Sequence, residues 1–309
     1  MTLPSPDSAS PPASHAASGP AVAHYENFPV ASWLCPPALR PAVAALYHYA
    51  RTADDLADEG DATPERRLQD LAAYARELRA CALGVPHEGQ WPQVFTPLGA
   101  VMRQHGLPME PMEDLLSAFA QDVAFTRDAR VYESREELLD YCRRSANPVG
   151  RLMLHLFDVQ EPQALVASDD VCTALQLINF WQDLSVDLPR GRYYLPRADC
   201  ERLGIDPRQP QDHPEARRLV ADLCDWAGGL MQRGASIAHR VPGRAGWELR
   251  GVVQGGLRVL DRIAAQGHDT FARRPRLGPR DAAVIAWRCL WMRRPDEHGP
   301  GSPMGESAP

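Results

Sequence analysis

The sequence lacks the signals that mark several large classes of protein. No run of about 18 uninterrupted apolar residues occurs in its 309 residues, so no segment is predicted to span a membrane. The N-terminus has neither a basic start nor an apolar stretch, so no signal peptide is predicted. An excess of positive charge is also missing, because the net charge is −7, and this argues against nucleic acid as a partner.

Three motifs of redox, metal and cofactor proteins are missing as well. The seven cysteines include no CxxC pair and their number is odd, which favours a reduced, cytoplasmic chain. No Glu-x-x-His sequence occurs, which argues against a di-iron helical bundle. No strand–GxGxxG–helix unit is found, so the common type of dinucleotide site is not predicted.

The chain shows little of the apolar–polar alternation that predicts strands, and no repeat of fixed period. Residues 1–22 are rich in Pro, Ser and Ala, residues 294–309 look similar, and both predict disordered tails. Residues 23–293 are predicted to form one all-α domain. Ser134 and Glu137 predict a capping box at one helix start. Apolar spacing of three and four residues predicts helices near 64–83, 110–125, 134–145, 168–184, 215–239 and 279–292.

The first unusual stretch is "RTADDLADEG", in which three aspartates and a glutamate follow an apolar helical pattern. Asp54 and Asp58 are four residues apart and therefore share one helix face, and Asp55 is rotated by about 100°. Arg51 lies on roughly the same face. Two interpretations compete: a solvated acidic helix end, or one half of a metal site.

The second stretch, "NFWQDLSVDLPRGRYYLP", strengthens the metal interpretation. Asn179, Asp183 and Asp187 follow each other at four-residue steps, which predicts one stripe along one helix. Oxygen ligands suit Mg²⁺, and two acidic stripes joined by several Mg²⁺ ions would bind an anion such as diphosphate. Arginine matches phosphate geometry. Three arginines follow the second stretch: Arg190, Arg192 and Arg197. They are either phosphate ligands or ordinary surface charges.

Together these motifs resemble those of the squalene and phytoene synthase family, over nearly all of residues 24–290. The first resembles Y-x-x-x-R-x-x-D-D-x-x-D, at Tyr47, Arg51, Asp54, Asp55 and Asp58. The second resembles N-x-x-x-D-x-x-x-D followed by G-R-x-Y-L-P, at Asn179, Asp183, Asp187 and "GRYYLP". A third, "YCRRSANPVG", resembles Y-C-x-x-x-A-G-x-V-G between Tyr141 and Gly150.

The resemblance implies an all-α fold, the type I isoprenoid synthase bundle of helices around a central apolar cavity. It implies catalytic roles for Tyr47, Tyr141, Asp54 and Asp183. It implies that Mg²⁺ is held by Asp54, Asp55, Asp58, Asn179, Asp183 and Asp187. The substrate-binding residues that it implies are Phe28, Arg51, Val149, Gly150, Gln182 and Arg192.

Within the family, residues 24–32, 145–154 and 179–192 are similar to the hydroxysqualene synthase branch. This implies ionisation of presqualene diphosphate and capture of the cation by water, with Mg²⁺ and without NADPH. It also implies a functional link to a presqualene diphosphate synthase and to a flavoprotein reductase that forms squalene. For such apolar substrates, peripheral contact with the inner face of the membrane is a further expectation.

Some positions depart from the family pattern. Gln182 stands where relatives often carry arginine, and this chain has "ANPVG", with Asn147 and Pro148, where relatives carry A-G-x-V-G. Gly256 takes the place of a cavity tyrosine, where it either opens space or serves helix packing. Alternative functions are a presqualene diphosphate, squalene or phytoene synthase, or a non-catalytic assembly factor. The intact aspartates argue against the last of these.

Overall fold

The computed structural model describes residues 35–85 and 89–292. Phe28 and both predicted tails, 1–22 and 294–309, lie outside these ranges. Within them the chain forms α-helices and two short 3-10 turns, Leu188–Arg190 and Pro210–Asp212, and an isolated bridge between Val131 and Tyr193 is the β pairing there. The helices are α1 Arg40–Asp58, α2 Pro64–Ala82, α3 Pro92–His105, α4 Glu110–Arg127, α5 Arg135–Ser145, α6 Asn147–Leu156, α7 Pro162–Gln182, α8 Leu184–Asp187, α9 Arg197–Glu201, α10 Ala216–Gly234, α11 Ile237–Arg240, α12 Gly243–Ala265 and α13 Pro279–Leu290.

Local sequence explains several helix starts. Thr63 accepts a hydrogen bond from the Arg66 amide, and Pro64 occupies the first turn of α2, where its missing N–H costs nothing. Ser134 likewise caps α5 by accepting from the Glu137 amide. The reciprocal half of the predicted capping box differs, because the Glu137 carboxylate accepts from the Glu133 amide, one residue earlier.

The helices enclose two hydrophobic cores. The first core is formed mainly by α1–α4, where the Tyr74 hydroxyl donates to the Tyr49 carbonyl and the Tyr49 hydroxyl to the Met112 carbonyl, at 3.0 and 2.9 Å. The second core is built around α7, which packs on α5, α6, α10 and α12. α1 belongs to the first core and α7 to the second, so the two acidic motifs approach each other from different cores.

Two glycines permit close packing against neighbouring helices. A Cβ at Gly150 would lie 2.4 Å from the Ser168 hydroxyl and 2.6 Å from the Cys172 sulfur, so glycine lets α6 approach α7. A Cβ at Gly256 would lie 2.7 Å from the end of Met231. Methionine therefore fills the space beside Gly256, which supports the helix-packing alternative.

The described residues bear on membrane crossing and on the state of the cysteines. In the described ranges, none of the helices has the length and apolar character that crossing a membrane requires. All seven cysteines lie within the described ranges as free thiols.

Candidate active site

The first acidic motif forms the last turns of α1, where Arg51 organises it. The guanidinium of Arg51 lies 3.0 Å from an Asp54 oxygen and 2.6 Å from an Asp55 oxygen, and it also pairs with Glu59. Asp54 and Asp58 lie on one uninterrupted helix, as their spacing predicted. Burial raises the pKa of Asp54 to about 6, and repulsion from Asp58 adds to this effect while Arg51 opposes it.

The second acidic motif does not lie on one continuous helix, which corrects the prediction. α7 ends at Gln182 and α8 begins at Leu184. The break arises because the Ser185 amide donates to the carbonyl of Thr270, at 3.1 Å, instead of to the preceding turn. Four-residue amide bonds continue on both sides, from Asp183 to Asn179 and from Asp187 to Asp183, each 2.9 Å long. The side chains of Asn179, Asp183 and Asp187 therefore still follow one another at roughly the predicted four-residue spacing.

The segment after α12 supplies a basic residue to this break. Arg274 forms an ion pair with Asp183. Beside it, the buried Gln182 amide donates to the Pro275 carbonyl at 2.7 Å and anchors the same segment. Sequence reasoning missed Arg274, because "FARRPRLGP" has no motif and lies far from Asp183 along the chain. Gln182 stands where relatives often carry arginine, and Arg274 places a guanidinium at the next residue.

Asp187 is the more deeply buried carboxylate of the second motif, with 8% of its surface exposed. Burial raises its pKa to about 7, Arg192 opposes the shift, and repulsion from Asp183 and Asp58 adds to it. Burial disfavours the charged form of this carboxylate, and a nearby cation would stabilise that form.

An ion pair joins the two motifs. The guanidinium of Arg192 lies 2.5 Å from an Asp58 oxygen, which joins the tail of the second motif to the end of α1. A tight turn aims Arg192, because Gly191 has the left-handed φ of 74° and the Arg192 amide donates to the Asp187 carbonyl. Arg197, by contrast, pairs with Glu133 at the surface, which supports the surface-charge alternative for that residue.

A buried tyrosine and a carboxylate from α4 lie beside this contact. The Tyr141 hydroxyl donates to Asp122 at 2.6 Å. Burial raises the pKa of Asp122 to about 7, while the Tyr141 hydrogen bond and Arg192 lower it. The aromatic wall comprises Tyr132, Tyr141, Phe180 and Tyr194, with the Phe180 and Tyr194 rings stacked at 3.8 Å. Sequence reasoning missed Asp122 because "AFAQDVAF" has the appearance of an ordinary helix segment.

The family assignment follows from comparison with known proteins. The family model for squalene/phytoene synthase matches residues 21–281. The chain belongs to this family. A hydroxysqualene synthase of Rhodopseudomonas palustris is 32% identical over 86% of this chain and 88% of its own length. One of Sinorhizobium fredii is 36% identical over 70% and 75%. Presqualene diphosphate and phytoene synthases also match.

A solved structure supports the same family and fold. The squalene synthase HpnC of Alicyclobacillus acidocaldarius is 38% identical and superimposes with a TM-score of 0.69, over 79% of this chain and 90% of that one. The expected enzyme class and the all-helical isoprenoid synthase fold are thereby confirmed.

The family resemblance implies site roles for three further residues, Tyr47, Val149 and Gly150, which lie on α1 and α6. Tyr47 lies on α1, one turn before Arg51, and is partly buried. Val149 packs against the first core. Gly150 contacts α7 at Ser168, well before Asn179 along that helix. Substrate binding by Val149 and Gly150 stays a prediction, and helix packing is the role that the contacts of Gly150 support.

Members of the squalene/phytoene synthase family process prenyl diphosphates and generally depend on metal ions. In the described part of this chain, no three His, Cys, Asp or Glu side chains converge as a ready-made metal cage. Mg²⁺, however, is typically held by one or two carboxylates together with water and substrate phosphates. The donor set here is all oxygen, and burial together with repulsion among carboxylates raises the pKa of both Asp54 and Asp187. These residues fit Mg²⁺ that binds together with a diphosphate.

Proposed function

We propose that this protein is a Mg²⁺-dependent hydroxysqualene synthase. In the reaction, the carbon–oxygen bond of presqualene diphosphate breaks and the electron pair leaves with diphosphate. The cyclopropylcarbinyl cation rearranges, a water oxygen bonds to it, and one proton is released. The observation that carries the proposal is the Arg192–Asp58 contact, which brings both acidic motifs to one place in a chain that is similar to hydroxysqualene synthases.

The diphosphate is held at the junction of α1, α7 and α8. The aspartates of both motifs and Asn179 would hold Mg²⁺, which would supply positive charge to the leaving diphosphate. Arg51, Arg192 and Arg274 already stand against carboxylates of these motifs. A guanidinium can exchange a carboxylate for a phosphate oxygen because both accept paired hydrogen bonds. These three arginines therefore bind the diphosphate and hold its orientation.

The carbon skeleton lies against the aromatic wall. Faces of Tyr141, Phe180 and neighbouring rings attract positive charge, which suits an intermediate that is a carbocation. Burial of these rings limits the access of water to the cation. A lining role for Tyr47, and for Phe28 outside the described residues, rests on the family resemblance alone.

Asp122 is the candidate acceptor for the proton that water loses. Its carboxyl has a pKa of about 7 and is hydrogen-bonded to Tyr141 at the aromatic wall. A general base is most effective when its pKa lies near the working pH. Asp122→Asn removes this acceptor and keeps the shape, so we expect the hydroxylated fraction of the product to fall while release of diphosphate persists.

The other functions considered differ in what they consume and make. A presqualene diphosphate or phytoene synthase joins two prenyl diphosphates, and a squalene synthase needs a reductant. The regions of closest resemblance and the hydroxysqualene synthases among the relatives support the hydrolytic branch. An assembly factor would not need carboxylates from both motifs beside three arginines.

Product analysis separates these functions. Purified protein is incubated with presqualene diphosphate or with farnesyl diphosphate, each with and without NADPH, and with Mg²⁺ or a chelator. We expect hydroxysqualene from presqualene diphosphate in Mg²⁺ alone, unchanged by NADPH, and little product from farnesyl diphosphate. Adding a presqualene diphosphate synthase is expected to restore product from farnesyl diphosphate, and a flavoprotein reductase then consumes it.

The opposite results assign other functions. Presqualene diphosphate formed from farnesyl diphosphate by this protein alone would establish the coupling reaction. Squalene that replaces hydroxysqualene when NADPH is present would establish the reductive branch. Turnover that persists in the chelator would contradict the role of Mg²⁺.

A further inference from the structure

The outer side of α13 exposes large apolar side chains to solvent. Among the described residues, eight large hydrophobic side chains are exposed, and five of them lie on or beside this helix. Trp287, Leu290 and Trp291 are exposed by 63%, 64% and 67%. A concentration of this kind marks a binding surface, whereas single exposed apolar residues are ordinary. We name the five together the tryptophan face: Trp247, Leu277, Trp287, Leu290 and Trp291.

The tryptophan face follows the periodicity of α13. Ala283, Trp287 and Leu290 recur at steps of four and three, which places them along one side of the helix. The rings of Trp287 and Trp291 are 5.5 Å apart. On the opposite side Asp281 is fully buried and held by arginines of α12. α13 is therefore fastened by its polar inner side and presents an apolar outer side.

Trp247 is linked to this helix by an arginine. The Arg250 guanidinium lies 4.1 Å from the centre of the Trp247 ring, and it also donates to the Cys289 carbonyl near the end of α13, at 3.3 Å. The start of α12 and the end of α13 thus contribute to one continuous surface.

The surroundings of the tryptophan face are basic, although the protein is acidic. Residues 243–292 carry nine arginines and four acidic residues, while the whole chain has a net charge of −7. Three of the acids are paired with arginines: Asp261, Asp269 and Asp281. Arg276 and Arg280 are exposed, and neither forms an ion pair within the described residues. An apolar surface flanked by positive charge complements a surface that is apolar inside and negative outside.

We infer that the tryptophan face docks peripherally on anionic lipid membranes. Tryptophan prefers the boundary between headgroups and acyl chains, and arginines near the surface attract anionic headgroups. A membrane would also be the source of a substrate as apolar as presqualene diphosphate; that role rests on the proposed function, whereas the docking surface does not. Lipid is the proposed occupant of the tryptophan face. A second copy of the chain is the alternative that the experiment distinguishes from it.

Flotation of the full-length protein with lipid vesicles tests the inference without substrate. The vesicles are phosphatidylcholine alone or mixed with phosphatidylglycerol. We expect the wild type to bind mixed vesicles and Trp287→Ser/Trp291→Ser to lose about tenfold or more in partitioning. Arg276→Gln/Arg280→Gln is expected to lose about fivefold per arginine on mixed vesicles and little on neutral ones. The matched control, Leu83→Ser/Val166→Ser, replaces exposed apolar residues outside the face and should bind like the wild type.

Circular dichroism of each variant shows whether it folds. If the double tryptophan variant does not fold, the double arginine variant still tests the inference. Wild-type protein that stays in solution with both vesicle types would overturn the inference, and so would tryptophan variants that bind like the control. A wild-type dimer that the tryptophan variant converts to monomer would assign the face to a second copy. Hydroxysqualene synthesis from detergent-dispersed substrate tests the proposed function independently.

Discussion

The two acidic motifs carry the same kinds of ligand but are held by different means. Asp54, Asp55 and Asp58 end an unbroken helix and stand partly exposed beside Arg51, which is encoded three residues earlier. Asp183 and Asp187 lie deeper, on either side of a helix break made by the remote Thr270 carbonyl. Local sequence therefore organises the first motif, and tertiary contacts organise the second. Substitutions can test whether this difference matters for catalysis and for stability.

The largest effect is expected on turnover, for which the two motifs do not differ because the reaction needs both. We expect Asp54→Asn and Asp187→Asn each to lower turnover of presqualene diphosphate by about a hundredfold or more, as loss of one preorganised electrostatic group does. Steady-state kinetics with saturating Mg²⁺ provides the measurement. Asp169→Asn on α7, whose partner is Arg151 at the surface, is the control and should retain turnover. Near-full activity of both site variants would refute the metal-site interpretation.

The next effect distinguishes the motifs by their arginines. Arg274→Gln removes the partner of Asp183 and one proposed diphosphate ligand, so we expect turnover to fall by about tenfold. Arg233→Gln is the matched control, because Arg233 on α10 is exposed and pairs with Asp170 outside the site. It should change turnover less than twofold by comparison with ordinary surface charges. Equal activity of the two variants would show that Arg274 does not contribute to diphosphate binding.

Stability without metal sharpens the contrast within the second motif. The pKa of Asp187 is raised from 3.8 to about 7, so its charge destabilises the fold. This cost is absent below about pH 4, grows as pH rises and is complete above about pH 7. Asp187→Asn is therefore expected to stabilise the metal-free protein by about 1–2 kcal/mol at pH 8 and by almost nothing at pH 4.

Denaturant unfolding of metal-free protein at the two pH values gives the comparison. Asp183→Asn is the informative partner variant, because it removes one charge but also the ion pair with Arg274. We expect it to bring no gain in stability. A similar gain from both variants at pH 8 would show that the Arg274 contact contributes nothing.

The smallest effect concerns the contact that joins the motifs. A double-mutant cycle of Asp58→Asn and Arg192→Gln is expected to give a coupling of about 0.5–1 kcal/mol at low salt, decreasing as salt is added. Thermal or denaturant unfolding of the four proteins supplies the values. Additive effects at low salt would indicate that the two motifs do not touch in solution.

The sequence by itself determined the features that depend on neighbours along the chain. Helical spacing placed Asp54 and Asp58 on one helix, and the residue chemistry of both motifs predicted oxygen ligands around an anion site. Apolar periodicity placed α2, α4, α5 and α13 within a few residues of their observed bounds. Ser134 was predicted as a cap, since capping is a contact over three residues.

Tertiary structure alone decided which distant groups meet. The break at Asp183 depends on a carbonyl at residue 270, and the ion pair of Asp183 depends on Arg274. Asp122 meets Tyr141 only because α4 packs against α5. The exposed tryptophans of α13 have the same apolar character as core residues, and burial depends on which side of the helix finds a neighbour. Such contacts join residues that are far apart in the chain, so local patterns carry no information about them.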